Sequence, residues 1–417
     1  MCIFTMNKII QYSDVYWDYR LSWATTAFFI GSVANASLKT VLSIPESLWG
    51  LMSAFFGVGI LLSFALNFKE MLRRSSTIFL HSMIVFLLIY LLSAILILFR
   101  GEPLNQMVYG TAFLTFAWWI PVGVYAISVK NKSILYEVWV KASYIISFFA
   151  IMMYFFHIPN DNSSGGTEYN MAFGFYIILP LLIHINEFIR KKRFFLICLV
   201  LFEFFTVVIY ANRGIYLSLF FFGIYKFAFE SGNRLRKFIS IIFLVVFIVL
   251  MLSSIETIAK NLILVMDSFG LHSRSVEMLA SGVISDTSGR DELWGICYKM
   301  IEQKPILGWG LGGEYYTIGK NMGVIPELVT AEGCNPHNGI IQNFVCFGLL
   351  GGIIVNMLLL KPIFFLSKFR GCNHDLVLIF LSASTIPITI SSAGFFIKPA
   401  VAFAVYLYYY RNHLKRA

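Results

Sequence analysis

Residues 49–100, WGLMSAFFGVGILLSFALNFKEMLRRSSTIFLHSMIVFLLIYLLSAILILFR, hold two apolar runs on either side of a short basic stretch. A helix rises about 1.5 Å per residue, so roughly 20 apolar residues cross a hydrocarbon core of about 30 Å. The runs at 48–67 and 77–99 both meet that length. Lipid offers backbone amides no hydrogen-bond partner, so spans of this kind are helices. Lys69, Arg73 and Arg74 lie between them, and cations in short loops are retained on the cytoplasmic side.

The same alternation runs through the whole chain. Of 417 residues, 58% are hydrophobic and only 13% charged, a balance that a water-soluble core and surface would not absorb. Apolar runs are expected to span near 21–38, 48–67, 77–99, 105–128, 135–157, 170–188, 194–211, 214–230, 238–256, 338–360, 374–392 and 394–410. The fold class is therefore an all-α polytopic membrane protein of about twelve transmembrane helices. Frequent aromatics, with 42 Phe, 21 Tyr and 8 Trp, suit lipid-facing and headgroup positions and call for no cofactor. The net charge of +10 falls between apolar runs rather than on one amphipathic face, which points to topology and away from nucleic acid.

With both termini inside, most of the 32 basic residues fall on the inner side. The expected organisation is transmembrane helices one to nine in 1–256, a large outer loop in 257–337 and helices ten to twelve in 338–417, all one integral membrane domain. In a bacterium this is the inner membrane, with the loop in the periplasm. The amino end, MCIFTMNKII, lacks the pattern of a removable signal peptide, so the first span is expected to be its own anchor. Cys297 and Cys334 fall in the outer loop, where a disulfide between them is open; no cysteine spacing reads as a metal site.

The loop carries a helix signal in SGRDELWGICYKMIEQKP. Ser288 suits an N-cap, Asp291 and Glu292 the first turn, and Leu293, Ile296, Cys297, Met300 and Ile301 a stripe at helical spacing. Lys304-Pro305 ends it. GWGLGGEYY follows, a glycine-dense strip suited to turns or close approach.

Four polar positions are candidates for chemistry, each with a plain alternative. Arg213 stands at an outer turn, either snorkelling to headgroups or holding an anion. Arg290, near the start of the loop helix, sets a guanidinium beside unpaired backbone N–H groups, a place for a diphosphate, or else pairs with Asp286 or Glu292. His337 is either a hydrogen-bonded polar residue or a base near neutral pH. Glu203, ionisable at membrane depth, is a functional suspect or a partner of Lys141 or a buried hydroxyl. His157 and His184 read as structural.

Taken together these residues resemble the O-antigen ligase and polymerase superfamily. The most specific element is H-N-x9-G-x-x-G, present as HNGIIQNFVCFGLLG with His337, Asn338, Gly348 and Gly351. SGRDELW with Arg290, a strip from Lys304 to Gly312 and an N-R-G turn at Arg213 precede it in the family's order. The resemblance implies a GT-C-like membrane glycosyltransferase, independent of metal or cofactor, acting on an undecaprenyl-diphosphate-linked oligosaccharide at the periplasmic face. By carry-over, Arg213 and Arg290 hold the diphosphate and His337 activates the acceptor hydroxyl, with Asn338, Arg274, Tyr315 and Glu314 as substrate contacts. Membrane lipid, a chain-length regulator and a flippase are the expected partners.

TEYNMAFGFYIILPLL, entering the sixth span, resembles polymerases, which join lipid-linked repeat units. The arginine-x10-glycine spacing of some polymerases is missed, because Gly223 follows Arg213 one position early, so a ligase acting on lipid A core is the alternative. A flippase or transporter is the non-enzyme alternative. Its usual repeated halves and midplane charges are not evident here.

Overall fold

The structure is a computed structural model. It describes residues 2–102, 104, 106–155, 171–210, 213–226, 238, 257, 259–268, 276–277, 280–281, 290–323, 336–366, 371–386 and 399–413. The expected span at 238–256, apart from residue 238, lies outside them, as do His157, Arg274, Asp286, Ser288 and Cys334.

Among the described residues all regular structure is helical. The helices are α1 (Cys2–Val41), α2 (Trp49–Phe99), α3 (Gln106–Leu114), α4 (Ile120–Ser128), α5 (Lys132–Phe155), α6 (Met171–Lys191), α7 (Phe194–Tyr210) and α8 (Arg213–Ile224), followed by α9 (Arg290–Gln303), α10 (Gly313–Asn321), α11 (Gly339–Phe365), α12 (Cys372–Phe380) and α13 (Pro399–Tyr409). Four stretches are long and apolar enough to cross a bilayer: Glu46–Phe99, Val108–Ser128, Lys132–Met153 and Gly339–Phe365. Phe194–Val207, Ile215–Ile224 and Pro399–Tyr409 are apolar but shorter. About twelve spans remains the expectation from hydropathy.

The two runs that open the sequence reading form one helix, α2, broken at Ser75 (φ −145°, ψ 27°). Along it Leu51, Phe55, Leu66 and Leu88 are each more than half exposed. So many exposed large apolar side chains on one helix are stable only where the surrounding solvent is lipid. Beside the break, Arg74 is buried and pairs with Asp18, Glu70 and Asp14. Asp18 also accepts from the backbone N–H groups of Lys130 (3.0 Å) and Asn131 (2.8 Å). Arg74 thus does more than mark topology, since it knits α1, α2 and the α4–α5 turn by charge-assisted hydrogen bonds.

The chain forms two compact units. The first comprises Met1–Phe28, Ile60–Val138 and Thr287–Ala417; the second comprises Phe29–Gly59 and Trp139–Asp286. In the first, α4 lies against α13, where the missing side chain of Gly123 admits the Tyr406 ring. Phe380 of α12 stacks on Phe403 of α13 at 4.0 Å between centroids. In the second, α6 packs on α7 and α8.

Candidate active site

Helix α9 covers Arg290–Gln303 among the described residues and stops before Lys304-Pro305, as that dipeptide predicts. Its apolar stripe faces inward: Leu293, Cys297 and Met300 are buried with Trp309, Tyr315, Ile318, Ile341 and Val345, while Trp294, Ile296 and Ile301 pack against this cluster. Each fully buried large side chain contributes about 1.5–3 kcal/mol, so α9, α10 and the first turns of α11 hold one another. Cys297 is a free thiol at 0% exposure, and burial pushes its pKa up to about 12.

His337 sits where α11 starts. Its φ is +50°, a left-handed conformation uncommon for a residue with a Cβ. Both neighbours are fastened. Trp294 Nε1 donates to the Pro336 carbonyl at 2.8 Å. Asn338 is the N-cap of α11, its Oδ1 accepting from Ile340 N–H (3.0 Å) and Ile341 N–H (3.1 Å). Trp294 is one turn beyond Arg290, so this bond ties the turn that carries the guanidinium to the residue preceding the imidazole.

The glycine strip has a definite seat. Helix α11 is broken at Gly348 (φ 69°, ψ −173°), which frees the Val345 and Cys346 carbonyls and the Leu349 N–H from helical bonds. The strip takes all three: Trp309 N–H donates to Val345 O (2.9 Å), Gly310 N–H to Cys346 O (2.9 Å), and Pro305 O accepts from Leu349 N–H (2.7 Å). Gly308, Gly310 and Gly312 have φ of 68°, 79° and 89°, which explains why glycine recurs at alternate positions. At the C-terminal end of α2, Arg100 donates to the Trp309 carbonyl (2.8 Å) and pairs with Glu102 (2.9 Å), its guanidinium 5.0 Å from the centroid of the Trp309 ring.

Glu314 and Tyr315 turn inward, at 0% and 1% exposure. The Glu314 carboxylate accepts from Gly312 N–H (2.6 Å) and Gln342 Nε2 (2.9 Å). Burial foremost raises its pKa above the ordinary carboxylate range, against the pull of these bonds and of one from the Cys346 thiol. Among the described residues no three His, Cys, Asp or Glu side chains stand together as a metal set.

In the second unit Arg213 opens α8. Glu203 of α7 is fully buried and meets His184 of α6, whose Nδ1 lies 2.9 and 3.0 Å from the two carboxylate oxygens; Ser147 of α5, a buried hydroxyl, donates to the same carboxylate. Ser143 Oγ lies 2.9 Å from His184 Nε2. The three helices are thereby bonded through their interior.

The structure thus brings the Arg290 turn and His337 to one end of the α9–α11 cluster, uses Asn338 as a cap and sends Glu314 and Tyr315 to the interior. Residues 195–355 match the family model for O-antigen ligase, Wzy_C. Over that segment, about two fifths of the chain, the protein is similar to the O-antigen ligase family. No curated protein matches the chain. The matched O-antigen ligase segment contains Arg213, Arg290, His337 and the whole glycine strip with its seat on α11. Sequence reasoning passed over Trp294, Arg100 and Gln342. Trp294 had a signal, lying within SGRDELW, while Arg100 and Gln342 had none beyond their polarity in apolar surroundings.

Proposed function

We propose that the protein is a glycosyltransferase that takes a glycan from an undecaprenyl-diphosphate donor at the outer face of the inner membrane and passes it to a sugar hydroxyl. The observation that supports this most directly is the Trp294–Pro336 bond, which ties the Arg290 turn to His337 inside the matched segment. The acceptor oxygen attacks the anomeric carbon as its proton passes to His337; the bond to the diphosphate breaks and undecaprenyl diphosphate leaves with the electron pair. Arg290 and Arg213 neutralise the charge that builds on that leaving group, and no step calls for a metal. Asn338 and Arg274 would be sugar contacts, with Glu314 and Tyr315 shaping the site from behind.

The acceptor in this reading is another lipid-linked repeat unit, which makes the enzyme an O-antigen polymerase; the polymerase-like stretch at 167–182 supports it. A chain-length regulator and the repeat-unit flippase would be its partners. The second reading, a ligase that transfers the finished chain to lipid A core, is favoured by the Arg213–Gly223 spacing.

Gel profiling of lipopolysaccharide from a deletion strain tests both. A polymerase predicts core bearing single repeat units, restored to long chains by the wild-type gene and not by His337→Ala or Arg290→Ala. Core without O units, with lipid-linked chains accumulating, would select the ligase. Normal chains in the deletion strain would overturn the transferase altogether, whereas repeat units trapped on the inner leaflet, with full rescue by His337→Ala, would replace it with the flippase.

A further inference from the structure

We infer that Trp294 is a positioning residue: its indole N–H, through the Pro336 carbonyl, holds His337 at a set distance from Arg290. The inference deepens the transferase reading and rests on it for the identity of the base.

Three observations carry it. The indole ring and the indole N–H serve different ends, the ring packing against the Leu293, Cys297 and Met300 core, which a phenyl ring would also fill, while Nε1 makes its bond to Pro336 at 2.8 Å. That carbonyl belongs to the residue immediately before a backbone held at φ +50°, a conformation that persists only where the surroundings over-determine it. On the other side the chain is already fixed by Asn338, which caps α11 through Ile340 and Ile341. Pro336 has no N–H and a nearly fixed φ, so its carbonyl is a handle by which the chain entering His337 can be held from the amino side. Trp294 follows Arg290 by four residues, on the same face of α9. Its N–H therefore joins the helix turn bearing the cation to the turn bearing the imidazole, and rates of positioned proton transfer fall steeply with displacements of about 1 Å.

The experiment uses the full chain in proteoliposomes with an undecaprenyl-diphosphate-linked donor, and compares wild type, Trp294→Phe, His337→Ala and the double variant. Trp294→Phe keeps the ring and deletes the N–H. The expected result is an unchanged KM for the donor, a kcat lower by about tenfold or more, and a double variant no slower than His337→Ala alone, because the indole acts only through the imidazole. Wild-type kcat in Trp294→Phe would overturn the inference, as would a double variant slower than His337→Ala by the whole Trp294→Phe factor. Amide hydrogen exchange over 337–343 is measured on the same resting proteins. Exchange about tenfold faster in Trp294→Phe supports the inference and unchanged exchange overturns it, whether or not transfer is seen. Absence of transfer by the wild type strikes at the proposed reaction instead.

Discussion

Gly308 and Gly348 meet backbone to backbone: a Cβ on Gly308 would lie 2.5 Å from both the Cys346 carbonyl oxygen and the Gly348 nitrogen. A Cβ on Gly348 would in turn overlap the Ile306 carbonyl. The turn-rich strip and the second half of the H-N-x9-G-x-x-G motif are therefore two sides of one contact. The break in α11 receives the strip, which pairs its Val345 and Cys346 carbonyls and its Leu349 N–H.

Gly308→Ala and Gly348→Ala should each cost about 3 kcal/mol or more, combining left-handed backbone strain with overpacking. Gly295→Ala, in the middle of α9 with nothing within 4 Å of the new Cβ, should be neutral or stabilising by about 0.5–1 kcal/mol. Thermal unfolding of the purified variants separates the two cases. Equal midpoints for Gly308→Ala and Gly295→Ala would show that the contact is not tight.

Asn338→Ala should lose about 1 kcal/mol, the worth of an N-cap, and Asn338→Asp or Asn338→Ser should recover most of it. The same unfolding measurement decides. Failure of both replacements to restore stability would mean that the amide is needed for something other than capping.

Glu314 makes stability depend on pH in a direction that can be worked out. Its carboxyl has a pKa above the ordinary 4.5 when folded, so the folded protein binds that proton more tightly than the unfolded chain does. The unfolding free energy is then fullest below pH 4.5 and declines as pH rises through the folded value. Glu314→Gln removes the titration. Between about pH 4 and about pH 8 the wild-type midpoint should fall relative to that of the variant; a constant difference would refute this.

The His184–Glu203 pair is bonded at 0% exposure, so removing one partner strands the other. Glu203→Ala should cost about 3 kcal/mol or more, whereas the double replacement His184→Leu with Glu203→Leu should cost less than either single alanine change. Unfolding in detergent with the single and double variants gives the coupling directly. Additive losses would show that the two groups do not act as a pair.

Much of this was legible in the chain itself. The buried stripe of α9 and its end before Lys304-Pro305 followed from period and charge, because those are local properties. For Glu203 the depth was legible and so was a buried hydroxyl partner, which Ser147 supplies, but not His184, which is 19 residues away in sequence and on another helix. Glu314 and Tyr315 were read as substrate contacts from a polar, aromatic strip, although their actual surroundings are supplied by α9 and α11.

Hydropathy and the placement of lysine and arginine determined by themselves that this is a helical membrane protein, and the spacing of His337, Asn338, Gly348 and Gly351 carried the likeness to the O-antigen ligase family, because both signals depend only on residue type and order. Tertiary structure alone decided that Arg74 is buried among carboxylates, that the glycine strip fills a broken helix and that an indole holds the His337 turn. Each of these is a hydrogen bond or close approach between distant segments, and the energy of such a contact depends on a few tenths of an ångström that no one-dimensional pattern encodes.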